Sequence, residues 1–151
     1  MSFDERPRYA STRGREMNDA EGDRVANEST ELRWDAASRV VTIRYVGGII
    51  LTGPDGPFVV NAVSRWIGTA RVPFGVLVDA IGLNGTNAEY RATTGAFFRA
   101  HRDTVFVAMF NVNAVMQVLA EMFRIGTGIQ LKGFADEASA RGWLRTRGIA
   151  A

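Results

Sequence analysis

Apolar and polar residues alternate from Leu32 to Trp34 around Arg33, and again through Val41, Ile43 and Tyr45 around Thr42 and Arg44. A period of two places every second side chain on one face of an extended chain, so both runs predict strands. The small polar break Asp35-Ala36-Ala37-Ser38 joins them as an antiparallel hairpin with its apolar face on the core. Gly47-Gly48 is expected to end or bulge the second strand.

The stretch Gly53-Pro54-Asp55-Gly56-Pro57 breaks the extended pattern and signals a helix start, with Asp55 suited to cap and Pro57 to the first turn. Phe58, Val59, Ala62, Val63, Trp66 and Ile67 then recur at three- and four-residue steps, which makes one apolar helix face able to cover a sheet. Phe74 to Val78 and Val105 to Phe110 are short, continuously apolar runs, the pattern of central parallel strands buried on both faces. Between them Tyr90, Thr94, Phe97 and Phe98 mark a second helix that ends near His101-Arg102-Asp103. A third helix is expected from about Asn113 to Arg124, with Val115, Met116, Leu119, Met122 and Phe123 inward. Ile129 to Lys132 alternates in the manner of an edge strand. Asp136 caps a last helix that buries Ala140, Trp143 and Leu144 and ends at Gly148. The predicted fold class is α/β, a mixed sheet of about five strands in which an N-terminal antiparallel hairpin precedes parallel strands, with about four helices. A purely doubly wound sheet is excluded, because no helix fits between Trp34 and Arg39.

A length of 151 residues suits one domain, and 46% hydrophobic with 23% charged residues argues against wholesale disorder. Residues 1–31 mix Arg, acids, Ser, Asn and Gly without period and are expected to form a flexible charged tail. The domain is then expected over 32–148, with 149–151 as a short C-terminal end. The tail holds eight acids against five arginines, which leaves thirteen bases against eight acids in the domain. That surplus is scattered over many elements and forms no stripe, so nucleic-acid binding is not expected. The tail also has no apolar run of the kind a signal peptide or a membrane span needs, and a cytoplasmic location is the expectation.

The order of elements, the strand Phe74-Gly75-Val76-Leu77-Val78-Asp79 ending in an acid, and the closing Gly133-Phe134-Ala135-Asp136-Glu137-Ala138-Ser139-Ala140-Arg141-Gly142-Trp143-Leu144 carry a resemblance. Over roughly Leu32 to Gly148 the chain resembles the STAS superfamily of anti-sigma-factor-antagonist-like domains, in particular its SpoIIAA-like branch. The resemblance implies a non-catalytic regulatory module that binds a protein partner. It also implies a Ser or Thr at the start of the helix after the third strand, where a partner kinase phosphorylates the domain to break binding. This chain departs from that pattern: Asp79 is followed by Ala80-Ile81-Gly82-Leu83-Asn84-Gly85-Thr86-Asn87-Ala88, so the Asp-Ser pair is absent and Thr86 is the nearby acceptor.

Ligands of open α/β sheets bind beyond the C-terminal ends of the parallel strands, which makes Asp79, Asn84, Gly85, Thr86 and Asn87 a candidate binding or regulatory loop. Asn111 and Asn113 follow the next strand at the same end and join that rim, although each of these residues serves equally as a turn or cap. A nucleotide at the Gly82 to Thr86 loop is a weaker reading of the same segment. Phe97, Phe98, Met109, Met116, Met122 and Phe123 are candidates for an apolar pocket, since Met and Phe adapt to lipid-like shapes, and at helical spacing they fit a core as well. A carrier or sensor of a small apolar ligand is therefore the alternative function.

Catalytic signals are lacking. Gly126-Thr127-Gly128 opens like a dinucleotide fingerprint, but Leu131 takes the third glycine position, and the only Lys, Lys132, lacks the glycine spacing of a phosphate loop. There is no Cys and no Gly-x-Ser-x-Gly elbow, and His101, the one His, is placed to cap a helix. No enzyme activity, metal or cofactor is expected. Self-association as a symmetric homodimer is a further expectation, with Trp66 as the candidate contact because it is large and near a helix end.

Overall fold

The computed structural model describes residues 22–151. In chain order the elements are β1 (Arg24–Ala26), β2 (Thr30–Asp35), β3 (Val40–Tyr45), β4 (Ile49–Leu51), α1 (Asp55–Ile67), β5 (Phe74–Asp79), β6 (Leu83–Thr86), α2 (Ala88–Ala100), β7 (Val105–Phe110), α3 (Ala114–Thr127), β8 (Gln130–Phe134) and α4 (Glu137–Thr146). Six strands form the main sheet in the order β1-β2-β3-β5-β7-β8. The first three are antiparallel, and β3, β5, β7 and β8 run parallel. This is the mixed α/β sheet that the alternation predicts, with β8 at one edge as expected.

Period two sorts the strand side chains onto two faces. Leu32, Ile43, Val76, Val78 and Val107 join the core under α1, α2 and α3. Val40, Leu77, Ala108 and Phe110 face the other way onto Ala140 and Leu144 of α4, where Ile149 of the chain end is also buried. Each central strand therefore needs apolar residues at every position, which is why the two runs read as continuous.

The structure corrects four expectations. The sixth strand, β1, lies inside the predicted tail and pairs Val25 with Leu32, while Glu31 holds Arg24 at 2.7 Å and Arg33 at 3.2 Å. A three-residue strand with one large apolar side chain has no period to read; the rest of that tail, residues 1–21, lies outside the described residues.

Asp55 does not cap α1. It occupies the first turn, and its carboxylate accepts from Ser29 Oγ at 2.6 Å and from the Thr52 N–H at 2.9 Å.

The segment after Asp79 is more than a connection, because β6 pairs in parallel with β4 as a second, two-stranded sheet. Their approach requires glycine: Gly82 has φ +81°, and a Cβ there would lie 2.7 Å from Gly47 Cα.

On α3, Met116 and Ala120 are buried and Leu119 and Phe123 half-buried, but Val115 and Met122 face outward. The helix is apolar on two faces, and the spacing of Val115, Val118, Met122 and Ile125 belongs to the outer one.

Candidate functional site

The C-terminal ends of β5 and β7 carry a polar rim built from backbone geometry. Asn111 sits at φ +58°, a left-handed turn that Asn tolerates, and its Nδ2 donates to Asp79 Oδ1 at 2.9 Å. The same carboxylate oxygen accepts from the Ile81 N–H at 3.0 Å. Arg44 lies 3.9 Å from Asp79 and 4.0 Å from Glu137, which in turn holds Arg141 at 2.8 Å. Asp79 and Asn111 are thus brought together, with Asp79 Oδ1 and Asn111 Nδ2 turned to structural work at this end of the sheet.

The other rim residues serve the helix starts. Asn87 Oδ1 accepts from the Tyr90 N–H at 2.9 Å and caps α2; Asn113 Oδ1 accepts from the Met116 N–H at 2.8 Å and caps α3. Asn84 is the extra residue of a bulge, since Ile49 pairs with Leu83 and Ile50 with Gly85. Thr86 ends β6 just before the α2 cap. Its hydroxyl accepts from Arg91 Nη1 at 3.0 Å, and the same nitrogen donates to its carbonyl. Thr86 is half-buried and Arg91 exposed.

Beneath α2 and α3 lies an apolar cavity of about 120 Å3 against the sheet. Of the six pocket candidates, Phe98, Met109, Met116 and Phe123 line it. Phe97 does not: it packs edge-on to Phe98 at 5.3 Å and against His101 at 4.4 Å, and Met122 points to the groove outside. His101 caps α2 as expected, its Nδ1 3.0 Å from the Phe97 carbonyl. Tyr45 and Tyr90 are also on the cavity wall. Burial pushes both phenols above their ordinary value, so each stays neutral and the wall carries no charge at that point. Thr94, also on the wall, donates to the Tyr90 carbonyl at 2.9 Å. Arg91 is the only charged residue lining the cavity and its only fully exposed one, which places the mouth at Arg91. The periodicity marks Tyr45 and Tyr90 only as inward-facing, and no sequence signal marks Arg91, because β3 and α2 meet at the cavity only in the fold.

The second surface feature is the outer face of α3. Val115, Val118, Met122 and Ile125 are 66%, 60%, 63% and 70% exposed, one stripe at steps of three, four and three residues. Among the described residues no three His, Cys, Asp or Glu side chains cluster as metal ligands, and no helix is long and apolar enough to cross a membrane.

No family model matches the sequence, and no curated protein matches it to significance. Solved structures do. An uncharacterized protein of the DUF3478 family from Shewanella loihica PV-4, with a SpoIIAA-like fold, superimposes with a TM-score of 0.63 at 16% identity over 80% of this chain and 97% of that one. The complex of the diguanylate cyclase SiaD with its activator SiaC from Pseudomonas aeruginosa gives 0.54 at 13% identity, covering 75% of this chain and 98% of the matched one. Apo-SiaC from the same organism gives 0.51 at 12% identity over 73% and 94%. An opening antiparallel hairpin, parallel strands and helices on both faces, together with the likeness to these structures, give this chain a SpoIIAA-like fold.

Proposed function

We propose that this domain is a non-catalytic regulatory module of the cytoplasm that acts by binding a protein partner through the outer face of α3. The carrying observation is the stripe Val115, Val118, Met122 and Ile125, four large apolar side chains that the domain leaves in water. Such side chains grouped on one helix face mark interaction sites, because isolated exposure is common but a continuous apolar stripe is not. The likeness to SiaC, an activator found in complex with SiaD, supports a regulatory role for this fold. Thr86 is the control point in this reading: a phosphate there would sit beside the α2 N-terminus and within reach of Arg91.

Photo-crosslinking from position 118 in cells tests the proposal, with Met122→Glu as the control. One defined partner captured by the wild type and lost in the folded variant supports it. Enzymatic turnover by the purified protein, or crosslinks that ignore Met122→Glu, overturns it. Crosslinks to a second copy of the chain, with a dimeric mass in light scattering, would make the stripe a homodimer contact.

The cavity favours a second reading, a carrier or sensor of a small apolar ligand. It is lined by Phe98, Met109 and Met116, and it remains unfilled between sheet and helices.

A further inference from the structure

The cavity has a chemistry at its mouth that its apolar wall does not require. Of the hydroxyls on that wall, Thr94 is spent on a carbonyl and Thr86 on Arg91, and burial keeps the Tyr45 and Tyr90 phenols neutral. The interior therefore offers a ligand mainly apolar contact and no charge. Arg91 differs. Its hydrogen bonds to Thr86 use Nη1 alone, and among the described residues no carboxylate lies within ion-pair distance of it. A guanidinium presents five N–H donors in a planar fork matched to a carboxylate or phosphate, so Nε and Nη2 remain to receive an oxyanion. Arg91 also lines the open groove between α2 and α3, which shares Leu119 and Phe123 with the cavity and is bordered farther along by Arg99. Tail site and cation are thus continuous.

We propose that the cavity between the sheet and α2–α3 binds a single-tailed amphipathic anion, with the aliphatic chain inside and the acid head on Arg91. The proposal rests on the carrier reading above. A dry apolar cavity of ~150 Å3 accepts a ring of about six carbons, so the cavity of about 120 Å3 here holds a chain of about four to six carbons, and a longer chain extends along the groove past Leu119 and Phe123. Carboxylate and phosphate monoester heads share the required chemistry.

Calorimetric titration of the full chain with octanoate, octyl phosphate and 1-octanol tests it, together with a series from butanoate to octanoate. Affinity should rise about fourfold per methylene until the cavity is full, and the anions should exceed 1-octanol about tenfold. Arg91→Gln, an exposed position that leaves the fold intact, should remove that tenfold advantage and leave 1-octanol unchanged. Leu119→Trp at the half-buried mouth should weaken all three probes. The two head groups separate the sources: preference for octanoate indicates a free fatty acid, and preference for octyl phosphate a phosphate-headed amphiphile. Equal binding of anions and alcohol, or full anion affinity in Arg91→Gln, overturns the head-group assignment while the carrier reading stands. No binding of any probe overturns both.

Discussion

Ser29 Oγ donates to Asp55 Oδ1 at 2.6 Å and so ties the turn between β1 and β2 to the first turn of α1. Asn27 completes the junction, its Oδ1 accepting from the Ser29 and Thr30 backbone N–H groups at 2.9 and 2.8 Å. A carboxylate that accepts from a hydroxyl, a backbone N–H and an amide is held in its charged form. Burial acts to raise the Asp55 pKa, but the hydrogen bonds from Ser29, Thr52 and Asn27 outweigh it and hold the group below its ordinary 3.8.

The sign of the pH dependence follows. A carboxyl whose pKa is depressed by folding stabilises the fold above its unfolded value, and that contribution fades as pH falls through the lowered folded value. Asp55→Ala should therefore cost about 1–2 kcal/mol at neutral pH, the lower end being favoured by partial exposure. Urea unfolding at pH 7 and pH 3 checks this: the gap between wild type and variant should be full at the first and smaller at the second. A gap that widens in acid would refute the assignment.

The two faces of α3 should respond in opposite ways to truncation. Met116 is 5% exposed and packs with Leu51, Leu83 and Tyr90, so Met116→Ala should cost about 2–5 kcal/mol. Met122 is 63% exposed, and Met122→Ala should stay within about 0.5 kcal/mol of the wild type while partner capture weakens. Chemical denaturation measures the first, crosslinking the second.

The same helix shows what the sequence made legible. In the sequence Val115, Met116, Leu119, Met122 and Phe123 form one apolar set, because the apolar residues span more of the helix than a single stripe. Periodicity locates an apolar face but does not say whether the protein itself covers it. The hairpin, the two central strands and the caps Asn87, Asn113 and Asp136 were legible because each rests on contacts within a few residues. β1, the β4–β6 pair and the Arg91 mouth were not. β1 and β4 are three residues long, and β6 holds only Leu83 as a large apolar residue. The cavity takes its walls from separate strands and helices, and nothing in local spacing reports a gap between them.

Trp66 has an occupation that the sequence could not show. Its ring stacks on Trp34 with centroids 6.2 Å apart and planes at 7°, Arg65 lies 5.6 Å over it, and its indole N–H donates to the Gly22 carbonyl at 2.7 Å. These contacts fasten α1 to β2 and to the residues before β1. Trp66→Glu should lower stability by about 2 kcal/mol, less than for a fully buried Trp, and leave the mass seen by light scattering unchanged. A loss of mass without a loss of stability would instead make Trp66 an intersubunit contact.

Thr86 precedes the α2 cap by one residue, and Arg91 grips both its hydroxyl and its carbonyl. A phosphate on that oxygen would turn a hydrogen bond between the guanidinium and a neutral hydroxyl into an ion pair beside the positive end of the helix, where a negative charge is stabilised by about 0.3–1 kcal/mol. Phosphorylation should therefore tighten the start of α2 and leave the fold intact. It also places up to two negative charges on the cavity wall that Thr86 shares with Met116 and Leu119 of α3, the helix proposed for docking. A semisynthetic protein carrying phosphothreonine at position 86 should show a small rise in unfolding midpoint and about tenfold weaker partner binding, with both changes reduced in Arg91→Gln. Thr86→Val, which deletes the hydroxyl and adds no charge, should bind the partner as the wild type does. If Thr86→Val and the phosphorylated protein lose binding alike, Thr86 is a direct contact and the charge has no regulatory part.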